Sequence, residues 1–115
     1  MARLNIFERQ DGNITVLDLS GDITFGEGNI ALRNAVRRAL SEGKRHFLLN
    51  FSGVGYIDSS GIGELVSALI AISREGGQLK LSNLTQRAEE LLTVCKLLTV
   101  FEVCENESET AKVFR

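Results

Sequence analysis

The sequence predicts a single α/β domain spanning residues 1–115, with a mixed sheet of four to five strands that opens on an antiparallel hairpin and about four helices packed mainly on one side. Three observations lead there. The 115 residues, 43% hydrophobic and 24% charged, suffice for one core and are too few for two. Asp11-Gly12-Asn13 separates two apolar runs, and Asp-Gly in that setting is a strong hairpin signal because glycine tolerates the positive φ of a tight turn. Beyond the hairpin, strand-like and helix-like periodicities alternate, which calls for crossover connections and parallel pairing.

The hairpin strands are expected at Leu4–Glu8 and Ile14–Leu19. Leu32, Ala35, Val36, Ala39 and Leu40 then line one helical face, with Arg33, Arg37 and Arg38 off that stripe and Gly43 placed to end the helix. His46-Phe47-Leu48-Leu49-Asn50-Phe51 is a short, nearly continuous apolar run that suits a central strand buried on both faces. A Gly-rich turn follows, and Ile62, Leu65, Val66 and Leu69 resume helical spacing up to Gly76-Gly77. In the next strand Leu79 and Leu81 alternate with Gln78, Lys80 and Ser82, which predicts one wet face and places the helices mainly on the other. Ala88, Leu91, Leu92 and Cys95 predict a third helical face, Val100, Phe101 and Val103 a short edge strand, and Ser108–Phe114 a terminal helix. The charged stretch Glu102–Glu109 reads as a solvated connection to that helix.

A net charge of −2 provides no electrostatic attraction toward nucleic acid or an anionic membrane, so neither is expected as a direct partner. No apolar run approaches the roughly 20 residues needed to cross a bilayer, and Met1–Asn5 lacks the apolar stretch of a signal peptide. A cytoplasmic location is expected. Cys95 and Cys104 form no Cys-x-x-Cys or Cys/His cluster, and the favoured reading is two buried thiols in a reducing compartment, with no metal.

The segment that carries chemistry is Phe51–Gly63, which links the central strand to the second helix at the end of the sheet where open α/β folds place function. Asp58, Ser59 and Ser60 directly precede the helical periodicity, so their oxygens are suited to cap free N–H groups. The local field is positive there, roughly half an elementary charge at a helix N-terminus. Asp-Ser-Ser-Gly therefore has two readings. It is a plain helix cap, or it presents a serine hydroxyl for phosphorylation. A phosphate would add nearly two negative charges at a tolerant helix start, with Asp58 and Glu64 repelling it, and would oppose any protein surface packed over it.

Tyr56–Leu65, YIDSSGIGEL, resembles the signature of STAS domains in bacterial anti-sigma factor antagonists. The resemblance covers nearly the whole chain, including the turn Gly21-Asp22-Ile23, the strand ending Leu49-Asn50-Phe51 and the Leu79–Leu84 stretch. It implies an anti-sigma factor antagonist whose unphosphorylated form binds an anti-sigma factor serine kinase and frees a sigma factor. It further implies that phosphorylation of Ser59 ends binding and that a serine phosphatase restores it. Asp22, Thr24, Asp58, Ser60, Gly61, Ile62 and Gly63 are the partner-binding residues it implies. One departure stands out: Thr24 occupies the place of a usual Asp, where it could still cap the first helix. The Phe25-Gly26-Glu27-Gly28 entry to that helix has no account in the sequence.

Catalysis is not expected. A serine nucleophile needs a base within hydrogen-bond reach, and the only histidine, His46, begins the strand whose far end leads to Ser59. No cofactor is expected either. Gly53-Val54-Gly55 and Gly61-Ile62-Gly63 match no phosphate-binding loop, and tight turns with close packing are the favoured reading over a weak nucleotide site. The rival function is a STAS scaffold or accessory subunit of a signalling or lipid-transport complex, with a leucine face at Leu91, Leu92, Leu97 and Leu98 as interface or, by preference, core.

Overall fold

Gly12, at φ 61°, makes the two-residue turn with Asn13, so that Asp11 pairs directly with Ile14. The hairpin it closes opens a computed structural model that describes residues 3–104. Its strands are β1 (Asn5–Asp11) and β2 (Ile14–Ile23), followed by α1 (Glu27–Ser41), β3 (His46–Ile57), α2 (Ser59–Arg74), β4 (Gln78–Ser82), α3 (Gln86–Val94) and β5 (Glu102–Cys104). The described residues thus hold three helices where about four were expected. The expected helix at Ser108–Phe114 lies outside the described residues.

The sheet order is β1-β2-β3-β4-β5, antiparallel between β1 and β2 and parallel throughout the rest. Because successive parallel strands are neighbours, crossovers of the usual right hand carry α1, α2 and α3 over the same face. The core reflects this. Leu32, Ala35, Val36 and Ala39 of α1, Ile62, Leu65, Ala68 and Ile72 of α2, and Ala88 and Leu92 of α3 share one cluster with Leu17, Phe47, Leu49, Phe51, Leu79 and Leu81 of the strands. Ile14, Val16 and Leu48 form a separate small cluster of strand residues alone. Leu91, Leu97 and Leu98 pack against the main core beside buried Leu92, so the leucine face is core rather than a free surface.

Helix stops fall where glycines allow them. Gly43 at φ 92° follows α1 and Gly76 at φ 80° follows α2, each just beyond the C-cap.

The structure corrects the sequence reading in five places. β2 runs four residues past Leu19, so Gly21-Asp22-Ile23 is strand rather than turn. β3 runs through the glycines to Ile57 instead of ending at Phe51. The physical reason is a pair of bulges: β3 takes one extra residue opposite Asp18–Ser20 and another opposite Gly21–Asp22. Gly53 fits there because a Cβ on it would lie 2.7 Å from the Leu19 carbonyl oxygen. Third, β4 is not half wet. Lys80 is 1% exposed with its Nζ 2.5 Å from Glu102 Oε2, and Ser82 is fully buried. Fourth, Glu102–Cys104 of the stretch expected to be a solvated connection form β5; the remainder of that stretch lies outside the described residues. Fifth, no disulfide joins the two cysteines, but only Cys104 is buried; Cys95 caps the C-terminus of α3 and is exposed.

Candidate functional site

Asp58 builds the site. It is extended at φ −106° and ψ −177°, the usual conformation of an N-cap, and its Oδ1 accepts the Gly61 N–H at 2.8 Å. The same oxygen accepts the Ser60 hydroxyl at 2.7 Å. Its other oxygen, Oδ2, accepts the Phe25 N–H at 3.3 Å, reaching across to the loop between β2 and α1. The backbone doubles this link, since the Asp58 N–H donates to the Ile23 carbonyl at 3.3 Å. Burial pushes the Asp58 carboxyl up, but hydrogen bonds from the Ser60 hydroxyl and the Gly61, Phe25 and Ser60 N–H groups together outweigh it. The carboxyl is therefore held below its ordinary range and charged at neutral pH.

Gly61 explains why the cap can sit so close to β2. A Cβ there would collide with the Ile23 carbonyl, so α2 starts hard against the end of that strand. Gly63, by contrast, faces open space, and the tight-packing reading does not extend to it. Ser59 is the first residue of α2 and is exposed, whereas Ser60 is half-buried over Asp58. Ile62 turns into the core at 4% exposure.

Two of the expected residues stand on the other strand. Asp22 and Thr24 are each 8% exposed, and the register pairing Asp22 with Tyr56 and Ile23 with Ile57 brings them beside Asp58. Thr24 does not cap α1. Gly26 holds the N-cap position at φ 96° without a side-chain bond, while the Thr24 carbonyl accepts the Asn29 N–H at 3.2 Å.

Three features escaped the sequence reading. Glu64 is 6% exposed in α2 and meets the Arg33 guanidinium of α1, with Nη2 2.8 Å from Oε1. Its charge is therefore matched and does not stand open beside Ser59. Arg87 of α3 lies over the Tyr56 ring, 4.7 Å from its centroid. Phe25 projects from the β2–α1 loop with 84% of its surface exposed. Only the odd Gly-rich run after Thr24 hinted at that loop.

His46 opens β3 and Ser59 follows its far end, so a 12-residue strand, on the order of 30 Å, separates them. They cannot form a nucleophile and base. Among the described residues no group of three His, Cys, Asp or Glu is placed to hold a metal ion, and no helix is long and apolar enough to cross a membrane.

The mixed five-stranded sheet opening on a hairpin and the capped Asp-Ser-Ser-Gly start of α2 define a STAS-type module. Residues 6–110 match the STAS domain model, and the chain belongs to that family. It is 25% identical over 100 residues to the anti-sigma-B factor antagonist of Bacillus subtilis, covering 87% of this chain and 90% of the relative. Among solved structures it is similar to a Thermotoga maritima protein proposed to be an anti-sigma factor antagonist, with a TM-score of 0.88, 22% identity, and coverage of 96% of this chain and 94% of the other. It is also similar to the Bacillus antagonist SpoIIAA in its phosphorylated form, with a TM-score of 0.74, 17% identity, and coverage of 95% and 99%. At these identities the solved structures show the fold.

Proposed function

We propose that this chain is an anti-sigma factor antagonist whose binding surface is the end of the sheet formed by Asp22, Thr24 and the α2 start, and whose gate is Ser59. The observation that carries the reading is the exposed position of Ser59 as the first residue of α2, beside a neighbouring serine already committed to Asp58. Ser60 is tied down and Ser59 is accessible, which favours Ser59 as the phosphate acceptor. A matching antagonist in Bacillus subtilis supports the general role.

In the proposed cycle the unphosphorylated chain binds an anti-sigma factor that is also a serine kinase, and a sigma factor is released. Phosphate on Ser59 then sets nearly two negative charges beside Asp58, within a surface the partner covers. Attraction by the α2 dipole lets the fold tolerate that charge, while the interface does not. A serine phosphatase resets the switch. Asp22, Thr24, Asp58, Ser60 and Gly63 contribute around the gate, and buried Gly61 and Ile62 set the position of α2 beneath it. The chain acts by binding, in the cytoplasm.

The test is incubation with the anti-sigma factor kinases of the source genome and ATP, followed by mass spectrometry. Phosphate on Ser59 is expected, with loss of the complex; phosphate on Ser60 alone would overturn the acceptor. A chain that pulls down transporter subunits and no kinase would favour the scaffold role instead.

A further inference from the structure

Phe25 is the most exposed of the large apolar side chains among the described residues. Its loop is nevertheless firmly held. Thr24 beside it is buried, the Thr24 carbonyl accepts from Asn29 at 3.2 Å, and the Gly26 carbonyl accepts from Ile30 at 3.0 Å. The Phe25 N–H itself is bound to Asp58 Oδ2. Gly26 adopts φ 96°, which other residues rarely reach, and a Cβ on Gly28 would lie 2.8 Å from the Asp22 carbonyl oxygen. Two glycines and a carboxylate thus hold an aromatic ring out in water, where it does nothing for the core. Ile30, half exposed one turn into α1, adds apolar surface nearby.

Position gives the ring its meaning. The carboxylate that anchors the Phe25 amide belongs to the residue directly before Ser59, so a body large enough to cover Ser59 also meets Phe25. An aromatic carried on a backbone that is already pinned loses less freedom on binding than one on a free loop, and exposed aromatics of this kind are the usual make-up of an interface anchor.

Resting on the function proposed above, we propose that Phe25 is the apolar anchor for the anti-sigma factor, its ring seated in a pocket on that protein while the partner's surface closes over Ser59. Phe25 supplies affinity and Ser59 supplies the gate. Phosphate on Ser59 releases the partner because anchor and gate share one footprint, braced by one carboxylate.

Isothermal titration calorimetry of wild type, Phe25→Ala, Phe25→Tyr and Ser59→Asp against the purified anti-sigma factor kinases of the source genome tests this, with thermal melts and size-exclusion chromatography on each variant. The expected result is a loss of roughly ten- to a hundredfold in affinity for Phe25→Ala, a smaller loss for Phe25→Tyr, and melting unchanged from wild type. Phe25→Ala binding within twofold of wild type while Ser59→Asp binds poorly would overturn the anchor and leave the switch standing. A variant that keeps its kinase affinity but turns a dimer into a monomer would assign Phe25 to self-association and likewise overturn the proposal. If wild type binds none of the kinases and Ser59 stays unmodified, the antagonist reading falls and the anchor with it.

Discussion

Arg33 of α1 and Glu64 of α2 meet at 2.8 Å, and the carboxylate they share is nearly out of reach of water. The pair fastens the two helices together directly behind the start of α2. A buried carboxylate deprived of its partner is costly, whereas an apolar replacement of both is well tolerated.

Arg33→Met is therefore expected to lower the melting temperature by a few degrees, and adding Glu64→Leu in that background to restore most of the loss. Thermal melts followed by circular dichroism measure both. A single variant that melts like wild type would show that the pair contributes nothing.

Glycines 61 and 63 should part company. Gly61→Ala forces a methyl group into the Ile23 carbonyl and is expected to destabilise by about 1–3 kcal/mol. Gly63→Ala meets open space within a helix and should be neutral or stabilising by up to about 1 kcal/mol. Urea titrations of the two variants compare them directly.

The Asp58 cap makes stability depend on pH in a defined window. Its folded carboxyl titrates below the unfolded value of about 3.9. The stabilisation is thus complete above that value and is lost as pH falls through the lower, folded one. Asp58→Ala is expected to cost about 1 kcal/mol at pH 7, and the gap from wild type to narrow below about pH 4. Melts of both proteins from pH 3 to pH 7 give the profile; a gap that stays constant would mean the charge plays no part.

Phosphorylation of Ser59 should change the surface and spare the helix. The acceptor lies at the positive end of α2, so amide exchange across Ile62–Ser73 is expected to remain protected while the Phe25 and Gly61 amides shift. Unfolding of that helix on phosphorylation would replace electrostatic exclusion with an order–disorder switch.

Much of this architecture was legible because its signals are local. Leu32, Ala35, Val36 and Ala39 announce α1 through their own spacing, and Gly43 and Gly76 announce the helix ends through a backbone conformation that glycine reaches easily. Asp58 as N-cap also depends on neighbours within three residues. The glycines of β3 misled for the converse reason. Alone they read as a turn, and only the close passage of β2 shows that they accommodate bulges.

By itself, the sequence determined the order of strands and helices, the hairpin, and a capped Asp-Ser-Ser-Gly start to a helix, since each rests on periodicity or on contacts within a few residues. Tertiary structure alone decided that Asp58 would also hold the loop of Phe25, 33 residues away in the chain, and that Glu64 would be buried against Arg33, 31 residues away. Both depend on which strand ends and helices lie side by side. That is decided by the register of β2 on β3 and the stacking of α1 on α2, which no local window of residues records.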